Sequence, residues 1–196
     1  MVAAQPENAN AISEAEYLAF ADAQTEKYEY RDGYVYAMSG GSVRHGTITV
    51  NLSTQLNLQL ANRDCTVTSP DIRVHIASKH AYRYPDVTVF CGEPIYVQGR
   101  TDTISNPAVL VEVLSPSTAL IDRNEKLTEY MQIASLGAYL LAWQNEPKIG
   151  RYQRHESGEW LYREVSGLEA KIEVPSVGCT LSLSDVYRKV RWDTRS

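Results

Sequence analysis

The sequence predicts one α/β (α+β) domain: a mixed β-sheet flanked by helices, with an N-terminal β-hairpin. Three observations predict it. Four-residue helical spacing and two-residue strand alternation both occur, each more than once. The elements run helix, hairpin, helix, several strands, helix, strand, hairpin, an order that suits a layered fold. A chain of 196 residues, 43% hydrophobic and 22% charged, can build one core, and it has no internal repeat, low-complexity stretch or linker.

Residues 1–12 read as a flexible leader and 13–196 as the domain. The start, MVAAQPENAN, has no basic end and no apolar stretch, so it is not a signal peptide. Ser13 followed by Glu16 fits a capping box, and YLAFAD supplies the apolar face of a short helix to about Ala23. Asp32-Gly33 lies between two Tyr-rich runs and marks a hairpin turn, because Gly readily takes positive φ. SGGS (39–42) is a loop. Ile48, Leu52, Leu56 and Leu60 recur every four residues and predict a helix over 43–61 packed on one side. The β-branched residues at 47–50 work against its start. CTVTS and DIRVHI alternate as strands, the second with Ile72, Val74 and Ile76 on one face; PDVTVFCG (85–92) and AVLVEVL (108–114) are strands again. Asp122 and Glu125 repeat the cap-plus-three pattern and predict a helix from 122 to about 135, ended by Gly137. AYLLAWQ (138–144) is a strand, Ser157-Gly158 turns a second hairpin, and LSDVYRKV suits a last short helix.

Several function classes are disfavoured. No apolar run approaches the ~20 residues that cross a bilayer. The net charge of -5 weighs against tight binding through phosphates, although a local basic patch is compatible with it and acidic metal ligands add to it. Cys65, Cys91 and Cys179 are odd in number, far apart and without a CxxC pair. They predict a reducing, cytoplasmic setting with neither a disulfide nor a structural zinc site. There is no GxSxG, GxxxxGK[ST] or GxGxxG motif, and His75 and His80 lack zinc-ligand spacing with any Cys. Asp86 and Glu112 could serve a glycosidase, but nothing else supports a sugar cleft.

The chemistry concentrates on Glu112, set between Val111 and Val113 in a strand that reads as buried. An ionised, unpaired carboxylate there would cost several kcal/mol, so a protein cation, a bound metal or a proton must compensate. Asp86 heads the strand after Pro85. Lys126 follows a seven-residue loop, early in the next helix, with a stem long enough to reach back. Asp86, Glu112 and Lys126 are therefore expected to converge at one sheet edge. The plainer readings are a turn-capping Asp86, a buried Glu112–Lys126 ion pair and a solvated Lys126.

YPDVTVF, AVLVEVLSPST and DRNEKLTEY together resemble the PD-(D/E)XK nuclease superfamily, in particular its Uma-type branch of endonucleases, over about residues 29–144. The superfamily pattern puts a Lys two residues after the Glu, where this chain has Leu114. Uma-type proteins carry it on the next helix, where Lys126 stands. The resemblance implies a restriction-endonuclease-like core and a metal-dependent endonuclease that hydrolyses phosphodiester bonds in nucleic acid, DNA first. It implies Asp86, Glu112 and Lys126 as catalytic residues. Asp86 and Glu112 would be ligands of Mg²⁺ or Mn²⁺, with Glu29 as a third, and Lys126 the partner of water or phosphate. His45, Arg44 and Tyr130 would line the cleft. For His45 the plainer role is a helix-start residue, for Glu29 an exposed hairpin charge, and for Tyr28, Tyr30, Tyr34 and Tyr36 amphipathic strand positions. A homodimer is expected, since nucleases that cut both strands commonly pair. The alternative is a catalytically silent nuclease fold used as a binding or interaction module, favoured by Leu114 and the net charge.

Overall fold

Capping chemistry sets the first helix, α1 (Glu14–Asp22): Ser13 Oγ accepts the Glu16 N–H, and Glu16 Oε2 accepts the Ser13 N–H. The computed structural model describes residues 5–38, 40–116 and 118–192. Next come β1 (Tyr28–Arg31) and β2 (Tyr34–Ala37), joined through Asp32 (φ 45°) and Gly33 (φ 93°). At Gly33 a Cβ would lie 2.6 Å from that of Ala11, so a side chain is excluded as well as strained. Residues 1–4 of the expected leader lie outside the described residues. Glu7, Asn8 and Ile12 are hydrogen-bonded to the β1–β2 hairpin.

The four-residue apolar spacing becomes α2 (Val43–Leu60), capped by Ser42, with Ile48, Leu52, Leu56 and Leu60 buried. Then follow β3 (Cys65–Thr68), β4 (Arg73–Ile76), β5 (Ala81–Arg83), β6 (Val87–Cys91), β7 (Thr103–Ile104) and β8 (Val109–Leu114). The chain continues as a helix in three parts, described below, then β9 (Ala138–Trp143), β10 (Lys148–Arg154), β11 (Trp160–Ser166), β12 (Lys171–Val174) and β13 (Cys179–Ser182). The mixed six-stranded sheet has the order β11-β10-β9-β8-β6-β3, and a five-stranded sheet has the order β2-β1-β5-β4-β7. The β8–β9 and β4–β7 pairs are parallel. A two-stranded ladder, β12–β13, was not expected from the sequence.

Every residue of β8 is buried. Alternation sends Val109, Val111 and Val113 toward α2, and Leu110 and Leu114 toward Tyr130, Leu136 and Tyr139. Burying each such side chain stabilises by roughly 1.5–3 kcal/mol. Glu112 is thus fixed on the second face, inside an apolar layer. A third cluster, Tyr17, Tyr30, Val35 and Tyr82, holds α1 to the five-stranded sheet.

Two expectations are overturned. Cys65 and Cys91 are directly opposite on β3 and β6 and form a disulfide, with Cα atoms 3.9 Å apart. The ground for expecting free thiols and a reducing compartment is therefore gone; Cys179 is a buried free thiol. The helix expected from Asp122 begins earlier, as α3 (Ala119–Ile121). It widens into a π-helical turn, Asp122–Lys126, and closes as α4 (Leu127–Tyr130). Ser115 marks the entry instead: its Oγ accepts the Thr118 N–H and its carbonyl the Ala119 N–H. The Asp122 N–H already bonds to Thr118 O, so Asp122 lies within the helix and not at its cap. No helix of the described residues is long and apolar enough to cross a membrane.

Candidate active site

Glu112 is 4% exposed and Lys126 6%. Lys126 Nζ lies 2.9 Å from Glu112 Oε1, 3.2 Å from Asp122 Oδ1 and 3.3 Å from Glu29 Oε1. The Tyr130 hydroxyl donates to the same Glu112 Oε1 at 3.0 Å. Among the described residues, both hydrogen bonds that Glu112 accepts thus fall on one oxygen. The π-helical turn puts Asp122 and Lys126 on the side that faces the sheet; such turns recur at functional sites.

Antiparallel register supplies the second acid. Val87 is opposite Val111 and Thr88 opposite Leu110, so Asp86, the residue before β6, is brought beside the Glu112–Val113 stretch of β8. Asp86 Oδ2 accepts the Val113 N–H at 2.7 Å and lies 3.1 Å from His45 Nε2. Asp86, Glu112, Asp122, Lys126 and His45 border a cleft of about 800 Å³ between the start of α2 and the end of β8.

Glu29 and Tyr130 do not border that cleft. Glu29 stands behind Lys126, with Oε2 accepting from Arg83 Nη1 at 2.8 Å and Oε1 from the Tyr84 N–H at 3.2 Å. Arg83 also forms a two-pronged bond to Glu129, at 2.8 Å to each oxygen. Five carboxylates (Glu29, Asp86, Glu112, Asp122, Glu129) thus meet two permanent cations, Arg83 and Lys126, with His45 a third when protonated.

That imbalance displaces the proton affinities. Burial, then the carboxylates of Asp122, Asp86 and Glu29, push Glu112 well above the usual carboxylate range, against the pull of Lys126. Burial also raises Asp122. Burial opposes the charge on Lys126, but Glu112, Glu29 and Asp122 outweigh it and hold the ammonium well above its ordinary value. Glu29 is buried too, yet Lys126 and Arg83 hold it at about 2. His45 is partly buried, which lowers it, but its bond and attraction to Asp86 prevail and the net shift is upward.

The structure therefore gathers Glu112, Lys126, Glu29 and Tyr130 into one cluster, and places Asp86 and His45 beside it. Glu29 is not the exposed hairpin charge of the plainer reading: it is 8% exposed. Arg44 is not brought there. One residue from His45 on α2, it points about 100° away, and donates to Arg191 O and Asn145 Oδ1. Sequence reasoning missed Asp122, Arg83 and Glu129. The four-residue Asp122–Lys126 spacing carried a signal for the first; Arg83 and Glu129 carried none.

The donor set suits a hard divalent cation in kind: carboxylate oxygens of Asp86, Glu112 and Asp122 border one cleft. Mg²⁺ commonly takes one or two carboxylates and keeps several waters. Among the described residues no three His, Cys, Asp or Glu side chains are gathered as a ready-made metal site.

The model of the Uma2 family, described as "Putative restriction endonuclease", matches residues 14–184. Two proteins of Synechocystis sp. (strain ATCC 27184 / PCC 6803 / Kazusa) are similar, each at 36% identity. "Uncharacterized protein slr1290" aligns over 177 residues, 90% of this chain and 92% of its own; "Uncharacterized protein sll1609" aligns over 162 residues, 83% and 92%. The crystal structure of a "putative nuclease belonging to DUF820" from Anabaena variabilis ATCC 29413 matches with a TM-score of 0.73 at 17% identity, covering 90% of this chain and 97% of that one. At that identity the likeness shows the fold.

Proposed function

This chain belongs to the Uma2 family, and we propose that it is an endonuclease dependent on Mg²⁺ or Mn²⁺ that hydrolyses phosphodiester bonds in nucleic acid, DNA first. The observation that carries this reading is that Asp86 and Glu112 border one cleft, with Lys126 Nζ 2.9 Å from Glu112. In the hydrolysis, water adds at phosphorus, one P–O ester bond breaks and the departing oxygen takes a proton. Asp86 and Glu112 would hold a divalent ion, which when bound would supply charge neutralisation at the phosphate and activation of water. Lys126 aims Glu112 through its contact with Oε1, and Tyr130 fixes the same oxygen. His45 borders the cleft and, when protonated, can hand a proton to the departing oxygen.

The test is cleavage of supercoiled plasmid with Mg²⁺, Mn²⁺ or EDTA. Wild type should nick only with metal. Glu112→Gln and Asp86→Asn should each lose about 10²-fold or more while retaining the native circular dichroism spectrum. Metal-dependent nicking by both variants at the wild-type rate would remove these carboxylates from the mechanism.

Two observations favour the silent binding module: the Lys126 ammonium is engaged by three carboxylates, and Leu114 occupies the superfamily lysine position. Calorimetric titration separates the two. An absence of Mg²⁺ or Mn²⁺ binding at millimolar concentration selects the module. A homodimer, as a form able to cut both strands, is tested by sedimentation equilibrium.

A further inference from the structure

We propose that the hollow next to the cleft, at Arg44, Lys189 and Arg191, is a subsite for the phosphate backbone of the bound strand. The proposal rests on the nucleic-acid part of the reading above and states where the strand lies. The hollow encloses about 730 Å³ and shares Ser42, Pro116 and Gln144 with the cleft, so the two are continuous. Their charges are opposite. The cleft is bordered by four carboxylates, Glu26, Asp86, Glu112 and Asp122, against Lys27 and Lys126; among the described residues the hollow is bordered by exposed Lys189 and Arg191, by Arg44, already engaged by Arg191 O and Asn145 Oδ1, and by no carboxylate. In a chain of net charge -5 this separation is local and directional. A polyanion with one phosphate at the acidic end, met through a divalent ion, carries its neighbouring phosphates over the shared wall to the basic end.

The fold builds the hollow deliberately from two distant segments. The helical step from His45 to Arg44 turns one side chain to Asp86 and the next to the hollow. Arg44 then ties α2 to the segment after α5 (Leu183–Val186) through Arg191 O, and to Asn145. Lys189 lies in that segment at φ 64°, a left-handed conformation uncommon for residues other than Gly and concentrated at binding sites. Lys189 and Arg191 are exposed, and neither forms an ion pair among the described residues. Cations so placed give phosphate contacts that carry affinity and salt dependence without reading sequence.

The experiment measures fluorescence anisotropy of a fluorescein-labelled 20-base-pair duplex, and of its single strand, in EDTA from 50 to 200 mM KCl. For the Lys189→Ala/Arg191→Ala variant, the slope of log K against log salt should fall by about 1.8 with duplex or about 1.4 with single strand. Affinity for duplex at 50 mM salt should fall about 10²-fold. Arg163→Ala/Lys171→Ala removes the same charge from exposed strand positions elsewhere, and should leave the slope within about 0.3 of wild type. An unchanged slope in the first variant, equal losses in both, or a wild type that binds neither probe overturns the subsite. The subsite and the hydrolytic reading fail separately. Loss of slope in a protein that cleaves nothing with Mg²⁺ or Mn²⁺ upholds the subsite and refutes hydrolysis. Metal-dependent cleavage with an unaltered salt slope refutes the subsite alone.

Discussion

Replacing Lys126 by Met removes the ammonium shared by Glu112, Asp122 and Glu29 while keeping most of the buried stem volume. Deleting one partner of a buried ion pair costs about 3–5 kcal/mol, because the other charge stays buried without compensation. Here three carboxylates lie within 3.3 Å of Nζ, which points to the upper end of that range. For a domain of this size the loss corresponds to a fall in Tm of roughly 6–20 °C. The cost should also depend on pH. Glu112 and Asp122 already take a proton more readily than free carboxylates, and without Lys126 they do so more strongly. The folded state then binds more protons than the unfolded state, so stability falls as pH rises. Urea unfolding followed by circular dichroism in EDTA should therefore show a larger deficit at pH 8 than at pH 5.5. Addition of 10 mM Mg²⁺ should recover more stability in the variant than in wild type. A deficit below about 1 kcal/mol at pH 8 would show that the ammonium is not what keeps these carboxylates in the core, and the charge accounting above would be wrong.

The other predictions concern the neighbours of that cluster. Glu29 is lowered from 4.5 to about 2, so its contribution is present above 4.5 and lost as pH falls toward 2, on the order of 3 kcal/mol. Acid titration of stability should be visibly shallower over that window in Glu29→Gln. His45 is raised, so its ion pair with Asp86 stabilises fully below the unfolded imidazole value and fades as pH climbs through the folded one. In Asp86→Asn its imidazole NMR titration should move to lower pH; an unmoved curve would contradict the 3.1 Å contact. The Cys65–Cys91 disulfide spans 26 residues, for which chain entropy gives about 3.5 kcal/mol. Dithiothreitol should lower the urea midpoint of wild type and leave that of Cys65→Ser unchanged.

Much of this was legible because local and tertiary preferences agree. The Ser13 capping box, the Asp32-Gly33 turn and the four-residue spacing of α2 are local signals that the fold keeps. Glu112 was legible because a carboxylate in a run of Val and Leu demands a partner. Asp122 was misread for the opposite reason. Its spacing to Glu125 imitates a cap, but burial beside Lys126 and the earlier turn at Ser115 override that pattern. Cys65 and Cys91 became partners only through the β3–β6 register, which no spacing in the sequence records. Arg83 lies in a three-residue strand and meets Glu129 across 46 positions, so nothing local announces the pair. The β12–β13 ladder is too short, and too close to Gly167 and Pro175, for alternation to stand out.

The wide turn at Asp122–Lys126 works as a phase insert in the helix. Each α-helical residue advances the side chains by about 100°. The surplus residue rotates everything after it by that amount, and Lys126 and Tyr130 come to rest on the same oxygen of Glu112. Deleting a single position inside the turn would let the backbone close into ordinary α-helix, with its ladder complete, while swinging the ammonium more than a quarter-turn off target. A descendant of this chain could thus discard its chemistry in one step and keep its shape.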